Sequence, residues 1–229
     1  MRIVLIGPPG SGKGTQAKVL EEHYNIPQVS TGDLLRHESQ RASLLGNRLR
    51  EAMSTGALVD DSTVMSVLHQ RLQQADCQKG YILDGFPRTL QQACKLKELG
   101  IEVDLVVELN VDDATIIKRL AGRRIHEASG RVYHTEYTPP QIKDLDDITG
   151  EPLIQRADDR EEVIQRRLAI YEEQTSPLTK YYANPASGET LRYIRLDVES
   201  WMLKGDVTES LLANLASQDR YKSNEETHD

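Results

Sequence analysis

Short apolar segments alternate with amphipathic segments along most of the chain. The first apolar segment, Ile3 to Ile6, is a continuous aliphatic run of the kind found in strands buried on both faces. Further strands are predicted at 26–30, 80–84, 103–109 and 191–196. Helices with apolar residues three and four positions apart are predicted at 15–24, 63–74, 89–99, 112–120 and 206–215. This alternation predicts an α/β fold, with a parallel sheet between two layers of helices.

Two segments interrupt the alternation. Residues 30–59 begin with the capping residues Ser30-Thr31-Gly32-Asp33 and continue in short helical patterns. Residues 122–159 are rich in glycine and proline and include the alternating run Arg131-Val132-Tyr133-His134, which predicts a β-rich insertion. A long helix is expected after this insertion, with a kink at Pro177.

Composition and charge limit the class of protein. The net charge of −8 over 229 residues argues against a general nucleic-acid surface. No apolar run has the length of a membrane span, and no leader-like segment precedes the first strand. Cys77 and Cys94 have no metal-binding or disulfide pattern, so we expect thiols of a reducing compartment. These features favour a cytoplasmic protein. The polar segment 218–229 lacks periodicity and is expected to be frayed.

The first strand leads into a glycine-rich turn and a helix start. Gly7, Gly10, Gly12 and Gly14 lack the Cβ that would keep backbone N–H groups away from an anion. Lys13 adds a positive charge beside the positive end of the following helix. A turn in which the glycines serve only the backbone would not need this lysine. The stretch therefore predicts a phosphate-binding loop.

Magnesium chemistry is predicted at the end of a later strand. The general phosphate-loop pattern has Ser or Thr directly after the lysine, whereas Gly14 stands there and Thr15 follows. Asp84 ends the strand at 80–84, and active sites of parallel sheets lie beyond the carboxyl ends of the strands. We expect Asp84 to hold Mg²⁺ through water, with a capping carboxylate as the alternative.

Arginines occur at helix starts, strand ends and insertion borders of this acidic chain. They are Arg36, Arg88, Arg119, Arg123, Arg156 and Arg167. Any one of them could be a solvated surface side chain. Together they fit phosphoryl transfer between two nucleotides, because the crowded phosphate oxygens need several fixed cations. The six histidines show no pattern of a catalytic dyad, which also suits direct transfer.

A zinc module is one possible interpretation of the insertion at 122–159. Its turns at 126–129 and 146–149 carry His126, Ser129, Asp146 and Thr149, with no cysteine. One histidine and one aspartate are too few good ligands for structural zinc. These four residues are predicted to form a polar, hydrogen-bonded staple without zinc.

A specific set of motifs resembles the adenylate kinase family, in its long bacterial type. The motifs are Gly7-x-Pro-Gly-x-Gly-Lys-Gly-Thr15, Ser30-Thr-Gly-Asp33, Asp84-Gly-Phe-Pro-Arg88, Gly122-Arg-Arg124 and Arg156-x-Asp-Asp159. The resemblance covers about residues 1–215. It implies a P-loop NTPase core (1–29, 60–121 and 160–217), an AMP-binding insertion (30–59), a zinc-free lid (122–159) and a polar tail (218–229).

The resemblance also implies the reaction MgATP + AMP ⇌ MgADP + ADP, with Mg²⁺ as cofactor, a monomeric enzyme and a role in adenine nucleotide homeostasis. The implied ATP-binding residues are Gly10, Ser11, Gly12, Lys13, Gly14, Thr15, Arg119, Arg123, Val132, Tyr133 and Ser200. The implied AMP-binding residues are Thr31, Arg36, Ala57, Leu58, Val59, Gly85, Phe86, Pro87, Arg88, Gln92, Arg156 and Arg167. The implied catalytic residues are Lys13, Arg88, Arg123, Arg156 and Arg167.

Further roles follow from the same resemblance. Asp158 and Asp159 resemble partners in lid closure, and the staple of four polar residues matches the tetrad of zinc-free family members. After Asp197 the chain has Val198, where many relatives have glycine. Other functions stay open: a kinase for another monophosphate or using GTP, a weakly catalytic nucleotide-binding protein, or a plain ATPase.

Overall fold

The computed structural model describes residues 1–184 and 191–225. The strands are β1 (Arg2–Ile6), β2 (Gln28–Ser30), β3 (Tyr81–Asp84), β4 (Leu105–Asn110), β5 (Arg123–Ile125), β6 (Val132–His134) and β7 (Arg192–Asp197). The α-helices are α1 (Lys13–Tyr24), α2 (Thr31–Ser39), α3 (Leu44–Thr55), α4 (Asp61–Leu72), α5 (Leu90–Glu98), α6 (Asp113–Ala121), α7 (Glu161–Ile170), α8 (Pro177–Ala183) and α9 (Lys204–Glu225).

A parallel sheet in the order β2-β3-β1-β4-β7 forms the centre of the molecule. Alternate residues of β1 face opposite layers, as the geometry of a strand requires. Ile3 and Leu5 pack with α1, α6, α7 and α9, whereas Val4 and Ile6 pack with α4, α5 and α8. The predicted three-layer α/β fold is therefore confirmed.

The parallel arrangement brings several loops to one edge of the sheet. The segments that follow β1, β2, β3, β4 and β7 all leave the sheet at its carboxyl edge. β2 and β3 lie on one side of the central β1, and β4 and β7 lie on the other. A ligand at the loop after β1 therefore has two different flanks, one on each side.

The insertions differ in structure. α2 and α3 lie in the first insertion and contact each other. In the second, β5 and β6 form an antiparallel pair, and bridges join Ile125 to Ile154 and Leu145 to Pro152. The β-rich prediction is thus correct only in part. Turns held by side-chain hydrogen bonds form much of this segment, and sequence alternation does not report such bonds.

Two expectations in the last third of the chain are wrong. Pro177 does not kink a continuous helix: α7 ends at Ile170, a π-helical turn follows at Tyr171–Thr175, and Pro177 begins α8, where its missing N–H costs no hydrogen bond. The segment from residue 218, which was expected to fray, is helical through Glu225. It extends the preceding turns of α9 and contains no Gly or Pro, and extending a helix is easier than starting one. Residues 226–229 lie outside the described residues.

None of the helices in the described part of the chain combines the length and the apolar character that crossing a membrane requires.

Candidate active site

The loop after β1 is shaped by glycines. Gly12 caps α1 with a φ of 100°, and Gly10 has a φ of 78°, both in the left-handed region. A Cβ at Gly10 would lie 2.7 Å from Cγ of Leu120, so this position also needs glycine for space. The loop therefore stays close to α6 and leads into the first turn of α1, whose N–H groups can bind an anion.

Lys13 folds back over this loop. Its ammonium group donates to the carbonyl oxygens of Gly7 at 2.7 Å and Pro8 at 2.8 Å. Loss of hydration on burial lowers the pKa of Lys13 to about 7, and the nearby charge of Arg88 adds to this shift, whereas Asp84 opposes it. The lysine thus lies among other cations, in a position where an added anion would favour its charged form.

Asp84 lies at the end of β3, close to the phosphate-loop helix. Its Oδ2 accepts a hydrogen bond of 2.9 Å from Nε2 of Gln28, and burial raises the pKa of the carboxyl group. A Cβ at Gly14 would lie 3.3 Å from the same oxygen, so the small residue lets the carboxylate approach α1. One carboxylate beside a phosphate loop fits Mg²⁺, which keeps several waters and takes few protein ligands. Gln28 was not identified from the sequence.

The predicted arginines converge on this edge, and carboxylates hold several of them. The pairs are Arg123 with Asp159 at 2.8 Å, Arg167 with Asp158 at 2.8 Å, and both Arg36 and Arg156 with Asp33, the latter at 3.6 Å. Each of these side chains is thereby oriented by a carboxylate.

The site contains more positively charged side chains than these three carboxylates can neutralise. Burial lowers the pKa of Arg88 to about 10, with a further contribution from the charge of Arg167. Burial also lowers the pKa of Arg156 to about 10, with contributions from Arg36 and Arg123. Guanidinium groups that lower one another's pKa in a confined space are stabilised by polyanions.

A cavity opens on the β2 and β3 side of the phosphate loop. It is lined by Thr31, Gly32, Leu35, Arg36, Met53, Gly56, Ala57, Leu58, Val59, Val64, Gly85, Arg88, Gln92, Asp158 and Arg167. Most residues implied for AMP are among them. Phe86 is different because its side chain is fully buried in the core, so only its backbone can face a ligand. Pro87 and Arg156 do not line the cavity.

Hydrogen bonds fix the walls of this cavity. Gln92 accepts from the backbone N–H of Arg88 at 2.7 Å and donates to Asp61 at 2.6 Å. Oγ1 of Thr31 donates to the carbonyl oxygen of Gly85 at 2.9 Å. Oγ1 of Thr175, in the π-helical turn, donates to the carbonyl oxygen of Arg88 at 2.7 Å. Asp61 and Thr175 are positioning residues that the sequence patterns did not reveal.

Apart from the phosphate loop, the residues implied for ATP lie on the β4 and β7 side of the sheet or in the second insertion. Arg119 donates from Nη2 to the carbonyl oxygen of Met202 at 3.1 Å. Ser200 lies in the exposed turn after β7, and Val132 is exposed on β6. Tyr133 is buried and its hydroxyl donates to Asp146 at 2.9 Å. That hydroxyl is therefore engaged within the second insertion.

Hydrogen bonds join the four residues of the second insertion that were predicted to form the polar staple. Nδ1 of His126 lies 2.7 Å from Oγ of Ser129, and Oγ1 of Thr149 donates to Asp146 at 3.0 Å. Arg131, absent from the prediction, donates two hydrogen bonds to the buried Asp146, at 2.8 and 2.6 Å, and holds the pKa of that carboxyl far below its usual range.

The staple has a further member that the sequence did not indicate. Glu151 lies 2.6 Å from Nε2 of His126. Within the described residues, no group of three or more His, Cys, Asp or Glu side chains is arranged to hold a metal ion.

Comparison with known families agrees with this geometry. The family model for adenylate kinase matches residues 5–187, which include the phosphate loop, Asp84, both insertions and the arginines of the site. The match extends over well more than half of the chain. This chain therefore belongs to the adenylate kinase family.

Proposed function

We propose that this nucleoside monophosphate kinase transfers the γ-phosphoryl group of MgATP reversibly to AMP, forming two molecules of ADP, and thereby helps to balance the adenine nucleotides. One observation carries the proposal: Arg88 and Arg167 line the cavity beside β2 and β3, and their charges also act on Lys13 of the phosphate loop after β1. A donor and an acceptor phosphate can meet there.

The site residues are assigned to three roles: binding the donor ATP, binding the acceptor AMP and stabilising the phosphoryl group in transfer. The loop from Gly10 to Thr15 surrounds the ATP phosphates, and Lys13 with Arg123 balances the charge on the phosphoryl group in transfer. Arg88, Arg156 and Arg167 hold the AMP phosphate in line with it. The attacking atom is an oxygen of AMP, so the protein needs to supply positioning and charge rather than a nucleophile.

Magnesium fits the environment of Asp84. When bound, Mg²⁺ neutralises charge on the β- and γ-phosphate oxygens. Gln28 and Gly14 leave the Asp84 carboxylate directed at the start of α1, so it could hold the ion there. The contact would be made through water, because Mg²⁺ keeps much of its hydration shell. Gly14 provides no hydroxyl ligand at the usual position of the phosphate loop.

The acceptor nucleoside is assigned to the cavity beside β2 and β3. Ala57, Leu58 and Val59 provide one wall, and the fixed amide of Gln92 provides a polar group that can recognise a base. Thr31 and Arg36 come from the insertion at 30–59, which is assigned to AMP binding. The segment 122–159 is assigned as the lid over ATP, and the three segments 1–29, 60–121 and 160–217 as the core.

We also propose that the enzyme acts as a monomer, because one chain supplies the cations on both sides of the transfer. A cytoplasmic location is proposed from the free thiols of Cys77 and Cys94. Analytical ultracentrifugation tests the first point, since a stable dimer at assay concentrations would contradict it.

The activity is tested by measuring ADP formation from ATP, Mg²⁺ and AMP. The expected result is rapid, AMP-dependent formation of ADP. A panel of acceptors (AMP, CMP, GMP and UMP) and of donors (ATP and GTP) distinguishes the related kinases. Preference for another acceptor would refute the assignment of AMP, and phosphate release that does not require AMP would indicate an ATPase.

A further inference from the structure

The helix that carries Arg167 contains an extra residue. A π-helical turn continues α7 into α8, and the backbone keeps right-handed helical angles from Ile170 to Ser176 at both ends of this turn. The N–H of Ser176 donates to the carbonyl oxygen of Tyr171 at 2.8 Å, which is five residues earlier instead of four. One residue is thereby inserted into an otherwise α-helical rod.

Pro177 provides a local reason for the insertion. In an uninterrupted α-helix its ring would collide with the carbonyl group of Glu173, and that carbonyl would lose its N–H partner. The wider turn lies directly before Pro177, which begins α8. The sequence therefore fixes the point in the rod at which the extra residue is inserted.

The extra residue changes which side chains share a face of the rod. Arg167 and Thr175 are eight residues apart, so in a regular α-helix they would point about 80° away from each other. With one residue inserted, the eight steps give the rotation of about seven, which is about 20° short of two full turns. Thr175 is buried, whereas Glu172, Glu173 and Gln174 of the same turn are exposed. The π-helical turn thus brings Thr175 to the face that carries Arg167.

Both side chains on this face act on Arg88. Oγ1 of Thr175 donates to the carbonyl oxygen of Arg88 at 2.7 Å, and Arg88 and Arg167 line the same cavity. Gln92 accepts from the N–H of Arg88 at 2.7 Å, and Nε of Arg88 donates to the carbonyl oxygen of Gly85 at 2.8 Å. Burial lowers the pKa of Arg88, and the nearby charge of Arg167 lowers it further. One rod therefore carries one guanidinium group and holds the backbone of the residue that carries the other.

We propose that the π-helical turn sets the spacing between Arg88 and Arg167, and that Thr175 is the positioning residue through which this spacing governs binding of the acceptor phosphate. Two cations that repel each other need a fixed separation if both are to donate to one phosphate group. The inference rests on the proposed function, because it takes this phosphate to be that of AMP.

Steady-state kinetics of Thr175→Val test the role of the hydroxyl group, because valine keeps the shape of threonine. The KM for AMP is expected to rise about tenfold, the loss that follows when a hydrogen bond to a charged group is weakened. The KM for ATP should not change, and Thr175→Ser should keep native values for both substrates. A native KM for AMP in Thr175→Val, or an equal rise for ATP, would overturn the proposal.

Thr179→Val is the matched control for this substitution. The hydroxyl group of Thr179 donates to the carbonyl oxygen of Ser176 at 2.8 Å, within the same rod, and has no contact with Arg88. The control should therefore keep the native KM for both substrates. A rise in the KM for AMP equal to that of Thr175→Val would count against the proposal, because any lost hydroxyl in the rod would then have the same effect.

A double-mutant cycle separates positioning of Arg88 from a general effect on structure. Arg88→Ala removes the guanidinium group and keeps the carbonyl oxygen that Thr175 binds. Calorimetric titration with AMP is expected to show that Thr175→Val weakens binding about tenfold in the native background and has little further effect in Arg88→Ala. Equal losses in the two backgrounds would overturn the proposal, because Thr175 would then not act through Arg88.

The two proposals fail in different ways. If the native protein formed no ADP from ATP and AMP, the proposed function would be refuted. If it formed ADP but Thr175→Val kept the native KM for AMP, only the proposal on the π-helical turn would be refuted.

Discussion

At the level of single residues, the proposed phosphoryl transfer depends on cations that are buried within the protein. The pKa of Lys13 is lowered to about 7, and those of Arg88 and Arg156 to about 10, mainly because burial removes their hydration. Such groups contribute little to folding in their charged forms. Their positions are explained by the phosphates that they would bind.

Replacing Lys13 is expected to impair catalysis without impairing folding. Lys13→Ala is expected to lower kcat by about 10²–10³-fold, because a charge aimed at the transferring group is lost. The melting temperature should be unchanged or higher, since a partly buried, desolvated ammonium group is removed. Lys18→Ala, on the exposed face of α1, is the matched control and should keep native kinetics. A Lys13→Ala enzyme with the native kcat would remove this residue from the mechanism.

The lowered pKa of Lys13 predicts proton uptake when ATP binds. With a pKa of about 7, Lys13 is largely neutral at about pH 8. Phosphates beside it would raise this pKa, so the binding of ATP should be accompanied by uptake of a proton. Calorimetry in buffers of different ionisation enthalpy measures this number of protons. The uptake should fall at about pH 6, where the lysine is already charged, and be absent in Lys13→Met. Equal uptake by the native protein and Lys13→Met would contradict the assignment.

At the scale of the element, the sequence predicted what local periodicity determines. β1 was predictable because burial on both faces demands an unbroken aliphatic run, and Gly10 and Gly12 mark a turn that other residues cannot form. The π-helical turn at Tyr171–Thr175 was not predictable, because one of its hydrogen bonds joins Thr175 to Arg88, 87 residues earlier.

Among the site residues, too, those with a local sequence signal were predicted and those placed by contacts between distant parts of the chain were not. Motif residues such as Asp84 were found because they stand at the end of a strand, whereas their hydrogen-bond partners were not found. Gln28 meets Asp84 only because β2 and β3 are neighbours in the sheet. Asp33 belongs to the motif at 30–33, but its pairing with Arg156 forms only because the two insertions meet. Such pairings are properties of the tertiary structure and leave no periodic signal.

The staple of the second insertion predicts a local effect on stability. Asp146→Asn removes the charge that accepts both hydrogen bonds from Arg131, so hydrogen exchange at 123–154 should accelerate and the melting temperature should fall. Asp147→Asn is the control, because the exposed Asp147 accepts one backbone hydrogen bond, from Gln141, which asparagine can also accept.

The stabilisation that Asp146 provides should decrease as the pH falls. Because the folded pKa of Asp146 is lowered, its stabilisation is present above the unfolded pKa of about 4 and is lost as the pH falls further. The difference between native protein and Asp146→Asn should therefore shrink in acid. Identical exchange rates in the two proteins at neutral pH would contradict the role of the staple.

At the scale of the whole molecule, one sheet edge and two insertions place cations around a common space. Asp33, Asp158 and Asp159 form ion pairs with some of these cations. Phosphates of two nucleotides would compete with those carboxylates, so substrate binding should exchange ion pairs within the protein for contacts with the substrates. The same closure would keep water from the phosphoryl group.

A crystal structure with an analogue in which ATP and AMP are joined through their phosphates would test this exchange of ion pairs. We expect one nucleoside beside β2 and β3 and the other beside β4 and β7. We also expect each of five cations to lie within hydrogen-bond distance of phosphate oxygens: Lys13, Arg88, Arg123, Arg156 and Arg167. Guanidinium groups that stayed on Asp33, Asp158 and Asp159, or pointed into solvent while the analogue was bound, would contradict it.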